Sequence, residues 1–183
     1  MAETIAETAR LRLRTWDDTD VAPFMAALNT PAVMRWLGGV QDDAAFRVTY
    51  DRIIACQAAH GHSFWIVERL SDTALLGFCG LKRVNIPGAP MPGDFEIGWR
   101  LAEDAQGHGY AREAAEASLT LAFNRFAAPH VVALTIRQNT ASWGLMQRLG
   151  MTRTRDLDFT DNRYGPEVAA IITYKIDRRD WTQ

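Results

Sequence analysis

Cysteine is scarce in this 183-residue chain: Cys56 and Cys79 are the only two, with no Cys-x-x-Cys pair and no histidine near them at zinc-finger spacing. That argues against a disulfide-stapled or zinc-ribbon scaffold and fits a reduced, intracellular setting, with both thiols reading as small buried residues. Long apolar runs are missing too. The longest, Ala74 to Leu81, is far too short to span a bilayer, and residues 1–10 mix Glu with Thr where a signal peptide would be basic and then apolar. A soluble cytoplasmic protein with no membrane partner is expected. Neither sign of charge dominates: 22 acidic against 20 basic side chains give a net charge of −2. With no basic stripe to follow a phosphate backbone, nucleic acid is not an expected partner. There is no Gly-Lys-Ser/Thr ending of a P-loop and no third glycine of a dinucleotide fingerprint, which disfavours nucleotide hydrolysis and hydride transfer.

What the chain does have is a core. At 48% hydrophobic, it can bury enough apolar surface to form one domain over residues 1–183 without staples. No repeat or linker interrupts it. Leu11 and Leu13 alternate with Arg12 and Arg14 as in a half-buried strand, and apolar residues recur at helical spacing over 17–28 and 42–60, with Pro31 and Gly38-Gly39 punctuating between. Three strands follow at 64–67, 74–81 and 94–101, the last two separated by a loop of three prolines and two glycines over 87–93. A glycine-rich turn then leads into an alanine-rich helix with Ala111, Ala115, Leu119, Ala122 and Phe126 on one face. Val131 to Ile136 reads as a buried strand, Asn139 to Leu149 as a helix stopping at Gly150, and 152–158 and 168–176 as closing strands.

The segment with the most chemistry is Gln106-Gly107-His108-Gly109-Tyr110-Ala111, between a strand and a helix. A helix N-terminus presents amide groups with no intrahelical partner, and glycine lets an anion approach that backbone closely. On its own a Gly-x-Gly turn is a weak signal, because any tight connection uses glycine.

Gln106, Gly109 and Ala111 match the Gln/Arg-x-x-Gly-x-Gly/Ala signature, and on them the chain resembles the GNAT superfamily of N-acetyltransferases. The likeness extends, in order, to Thr8 through Arg14, Glu96-Ile97-Gly98-Trp99, Asn139-Thr140-Ala141-Ser142 and Arg148-Leu149-Gly150-Met151. Tyr174 to Trp181 is similar to the close of the Rim-type branch, which includes N-terminal acetyltransferases of ribosomal proteins. The resemblance implies an α/β (α+β) fold with a mixed, mostly antiparallel sheet of about seven strands and about four helices. It also implies acetyl-CoA as co-substrate, a fourth and fifth strand that splay apart, and a bulge at Gly98, where the glycine itself reads as either a bulge or a close ligand approach.

It further implies roles for residues. Trp99, Arg100 and Leu101 would offer backbone groups to the pantetheine arm. Gln106, Gly107, His108, Gly109, Tyr110 and Ala111 would hold the pyrophosphate, and Asn139 and Ser142 would contact the cofactor. Arg100 could also pair with a phosphate or simply be exposed at a strand end, and Asn139 has a rival role as a plain helix cap. Glu96 is the candidate general base, the competing reading being an ion-paired surface glutamate. Relatives outside the Rim-type branch place a tyrosine acid where this chain has Met146, which leaves Ser142 as the substitute or the thiolate leaving unaided. No covalent enzyme intermediate is needed, in keeping with the absence of a Ser-His-Asp or Cys-His pattern.

His60-Gly61-His62 reads as a loop with no carboxylate partner, so no metal is expected. Trp16, Trp36, Phe64, Trp65 and Tyr164 are candidates for an acceptor pocket or for the core, and Asp158, Asp161 and Glu167 either draw in a cationic amine or are solvated loop charges. The reading is an N-acetyltransferase, monomeric or homodimeric, acting on a primary amine, with a protein or peptide N-terminal α-amine as the leading acceptor. The alternatives are a small amine such as an antibiotic, polyamine or amino acid, or a non-catalytic acyl-CoA-binding module.

Overall fold

A computed structural model describes residues 2–182. In chain order it contains β1 (Thr4–Glu7), β2 (Leu11–Arg14), α1 (Val21–Leu28), α2 (Pro31–Met34), α3 (Asp43–His60), β3 (Phe64–Arg69), β4 (Leu75–Arg83), β5 (Phe95–Leu101), α4 (Tyr110–Asn124), β6 (His130–Ile136), α5 (Thr140–Arg148), β7 (Thr152–Arg153), β8 (Phe159–Thr160) and β9 (Ala170–Asp177). The expected mixed, mostly antiparallel sheet is present, with nine strands rather than seven and five α-helices rather than four. The extra pieces are too short to show a period: β1, β8 and the single turn α2 hold only two to four residues each. The strand expected over 152–158 stops at Arg153, where a 3-10 turn (Arg155–Leu157) takes over. Gly61 ends α3 in a left-handed conformation, so His60 is helical and the expected His60-Gly61-His62 loop is confined to the residues after it.

The sheet order is β1-β2-β3-β4-β5-β6-β9-β7, with β8 pairing β9. Every pairing is antiparallel except β5 with β6. That exception is short: the parallel register covers only Phe95↔Val131 and Glu96↔Val132, and the two strands part beyond it. The splay lies where the resemblance put it. The expected bulge does not: β4 and β5 stay in unbroken register through Gly80↔Gly98. Gly98 has a packing reason instead, since a Cβ there would sit 2.8 Å from the Phe64 ring.

Side-chain alternation assigns the two faces of the sheet. Cys79 Sγ lies 3.6 Å from Ser118 Oγ, against α4. Its neighbour Phe78 stacks on Phe24 of α1, centroids 5.9 Å apart. So α4 covers one face and α1 the other. On the α1 face Phe64 stacks on Phe78 at 4.7 Å, and Trp16 and Phe46 flank Phe24, a run of rings whose one polar atom, Trp16 Nε1, donates to the Phe64 carbonyl at 2.7 Å. Phe24 is fully enclosed, and truncating such a ring costs about 3–5 kcal/mol.

Candidate active site

The glycine turn sits at the end of β5 and opens α4. Gly107 and Gly109 take φ of 79° and 81°, the left-handed region that only glycine enters cheaply. No side chain caps α4. Among the described residues the amides of residues 107–112 make no hydrogen bond to the protein. The turn is thus an open cradle of donors at the positive end of a helix dipole, the arrangement that takes an anion.

The cradle is held from outside. Gln106 Nε2 donates to the Leu101 carbonyl at 3.1 Å, tying the turn back to β5. Arg10 Nη1 donates to the His108 carbonyl at 3.0 Å and its Nε to Glu113 at 2.7 Å. Glu113 also accepts from the Thr8 hydroxyl at 2.6 Å and the Arg10 amide at 2.9 Å. The Arg10 guanidinium lies 4.6 Å from the centre of the Tyr110 ring. Thr8, Arg10 and Glu113 were not among the residues expected to matter here. Partners about a hundred residues apart leave no local signal.

A cleft of about 790 Å³ runs from this turn along the gap between β5 and β6. It is lined by Glu96, Trp99, Arg100, Leu101, Gln106, Gly107, Gly109, Tyr110, Ala111, Asn139 and Ser142, so the structure brings together every expected site residue but one. His108 is the exception. Its exposed ring stacks on Tyr110 and bonds the Gln106 carbonyl, leaving only its backbone amide in the cradle. Beyond Glu96, residues 97–101 have no ladder partner on the β6 side, an edge to which an extended amide-containing chain can pair. The cradle, this edge and Asn139 with Ser142 across the gap fit the pyrophosphate and pantetheine of acetyl-CoA.

Two expectations sharpen on contact with the geometry. Asn139 Oδ1 accepts from the Ser142 amide at 3.3 Å, so it does cap α5. Met146 is fully buried, and Ser142 is the hydroxyl that α5 presents to the cleft.

On the α1 face, β5 offers Glu96, Gly98 and Arg100 in alternation. Glu96 is 8% exposed, and Lys82 Nζ stands 3.2 Å from its Oε2. That ammonium is the partner of Oε2, a buried oxygen to which no further donor among the described residues points. Arg100 lies over Phe78, its cross-strand partner, with Cζ 5.2 Å from the ring centre. It is on the opposite face from Trp99, whose partner Cys79 faces α4, so its side chain does not follow its backbone toward the pantetheine edge. Loss of water around the guanidinium lowers its pKa to about 10.

The aromatic candidates divide: Trp36, Phe64 and Tyr164 line the cleft, while Trp16 and Trp65 are core. Two of the acidic candidates are already paired, Asp161 on the cleft wall and Asp158 outside it. Asp161, 2% exposed, is held by Arg163 at 2.6 Å, and Asp158 pairs with Arg153 away from the cleft. The Arg163 guanidinium and its backbone amide keep the Asp161 carboxyl below the usual range, against the effect of burial. His62 is 1% exposed and gives Nδ1 to the Leu81 carbonyl, and burial lowers its pKa. Among the described residues no group of three or more His, Cys, Asp or Glu could hold a metal ion, and no helix is long and apolar enough to cross a membrane.

Comparison with known proteins agrees with this geometry. Residues 10–152 match the family model described as an acetyltransferase (GNAT) domain. The chain is 33% identical over 151 residues to the uncharacterised protein YkkB of Bacillus subtilis, covering 82% of this chain and 86% of that one. An acetyltransferase structure from Agrobacterium tumefaciens superposes with a TM-score of 0.77 at 23% identity, covering 93% and 92% of the two chains. Spermidine N-acetyltransferase from Vibrio cholerae, solved with CoA and spermine, gives 0.73 at 15% identity over 94% and 98%. The ribosomal-protein-S5-alanine acetyltransferase from Vibrio fischeri gives 0.70 at 13% identity over the full length of both. At these identities the structures speak for the fold alone.

Proposed function

The chain belongs to the GNAT acetyltransferase family, and on that premise we propose that it is a cytoplasmic N-acetyltransferase of the Rim-type branch, acting on the α-amine of a protein or peptide N-terminus. Acetyl-CoA, when bound, supplies the acetyl group as a reactive thioester. The amides of residues 107–111 hold its pyrophosphate, and the free edge of Trp99, Arg100 and Leu101 aligns its pantetheine arm. Glu96 Oε2 takes the proton of the attacking amine, the Ser142 hydroxyl stands by to give one to the departing sulfur, and the α1 face orients the acceptor.

The observation that carries the catalytic reading is Glu96 Oε2, a buried carboxylate oxygen on the cleft wall whose partner among the described residues is the Lys82 ammonium, 3.2 Å away. A carboxylate buried against a single ammonium keeps lone pairs free for the N–H of a ligand. An α-amine favours this chemistry over a lysine, because it titrates near 8 where lysine titrates near 10.4, so a single carboxylate can keep it neutral. A small amine is the second reading. The Tyr164 ring packs on Gly38, within about 3 Å of where a Cβ would stand, and Tyr164 and Leu37 both line the cleft, which bounds its acceptor end.

The test is thiol release from acetyl-CoA with a panel of N-terminal peptides, lysine peptides, polyamines, amino acids and aminoglycosides. Turnover with the N-terminal peptides is expected. Turnover confined to another class replaces the acceptor, and silence across the panel with acetyl-CoA still bound points to a binding module.

A further inference from the structure

The charges on the acceptor face do not cancel. Lys82 answers Glu96 and Arg163 answers Asp161. Arg100 has neither ion pair nor hydrogen bond among the described residues, and its Nε is sealed from water without a partner. Phe78 under the guanidinium gives a cation–π contact but accepts no hydrogen bond. A guanidinium whose Nε has lost water and gained no acceptor stands four residues along the same face of β5 from the Glu96 carboxylate, whose charge Lys82 already answers.

Resting on the reading of the cleft as an amine-acetylating site, we propose that Arg100 binds a carboxylate carried by the acceptor molecule. One surplus positive charge calls for one negative charge, and the planar guanidinium matches a carboxylate fork. A phosphate carries about −1.5 to −2 and would leave negative charge beside Glu96 and Asp161. The spacing limits the acceptor further. Glu96 and Arg100 are two pleats apart, about 13 Å between Cα atoms, and the stacked rings of Phe64 and Phe78 floor the interval. The acceptor therefore has its amine and carboxylate separated by an apolar spacer, as in a peptide with a small or apolar first residue and Asp or Glu soon after. The amine and carboxylate of a single α-amino acid are too close together. A polyamine would set positive charge against Arg100.

The test pairs two readouts on the full chain. The tripeptide amides Ala-Leu-Glu, Ala-Leu-Gln and Ala-Leu-phosphoserine, with spermidine, are titrated calorimetrically into the CoA-saturated protein and assayed for thiol release from acetyl-CoA. The glutamate peptide is expected to bind at least tenfold more tightly than its glutamine isostere. Arg100→Leu should erase that preference without changing CoA affinity, and Arg100→Lys should keep part of it with unaltered thermal unfolding. Equal binding of the two peptides, preference for phosphoserine or spermidine, or tenfold loss of CoA affinity in Arg100→Leu overturns the proposal. Carboxylate-dependent binding without thiol release upholds Arg100 and rejects the catalytic reading. Release at equal rates from both peptides, with equal binding, does the reverse.

Discussion

The two halves of the cleft are built from different materials. The cradle at residues 107–111 is backbone: two left-handed glycines and a helix start, held by the Arg10–Glu113 clamp. The acceptor face is side chain: a plate of phenylalanines, two neutralised ion pairs, and one guanidinium left without a polar partner. A backbone site depends on conformation and tolerates change in the side chains around it. A side-chain site depends on the identity of each group and on the elements that bring those groups together. Substitutions that change the backbone conformation of the first region should therefore impair cofactor binding, and substitutions in the second should leave binding intact and alter turnover.

The largest expected effect is at Gly109. Its φ of 81° costs a β-branched residue about 1–2 kcal/mol, and relief of that strain rotates the amides out of the cradle. Gly109→Val should weaken acetyl-CoA binding on the order of 100-fold by calorimetry, equivalent to nearly 3 kcal/mol, with the sheet unchanged by circular dichroism. Unaltered affinity would remove the anion from this turn and with it the contrast between the two regions.

Next in size is Glu96→Gln, which keeps the shape and removes the proton acceptor. A general base contributes about 10²-fold or more, so kcat should fall by at least that factor while the dissociation constant for acetyl-CoA stays within twofold. A wild-type rate would take Glu96 out of the mechanism. A parallel loss of cofactor affinity would mean that the two halves of the cleft are not separable.

The same division explains what could be read in advance. The turn, the caps at Asn139 and Gly150 and the long helices were legible because each depends on residues close in sequence or on a motif of fixed spacing, whereas the splayed pair came only with the family resemblance. Glu96 and Arg100 were visible as residues but not as a face, because the face is defined by Phe78 and Phe64 across the ladder and by Phe24 from α1. Gly98 was assigned a bulge for a similar reason: the Phe64 ring that requires a glycine there is 34 positions earlier in the chain. Asp158 and Asp161 read as bait for a cationic amine until their arginine partners were in place. The short strands β1 and β8 gave no period to detect.

The smallest effect tests whether the clamp belongs to the cradle. Burial pushes the Glu113 carboxyl up, but bonds from the Thr8 hydroxyl, the Arg10 guanidinium and the Arg10 amide outweigh it and hold the group below the usual range. A depressed carboxyl stabilises the fold fully above its unfolded pKa, near 4.3, and loses that contribution as pH falls through the lower folded value. Arg10 is half exposed, so solvent screening limits the gain to between a few tenths and about 1 kcal/mol. Glu113→Gln should therefore be slightly less stable than wild type at pH 7 by urea denaturation, with the gap closing below about pH 4. Amide exchange at residues 107–112 should quicken in the variant at neutral pH, with exchange in β3 and β4 unchanged. A stability gap that persists at pH 3 would mean that the Glu113 charge is not what holds the turn, and the cradle would then owe its shape to its glycines alone.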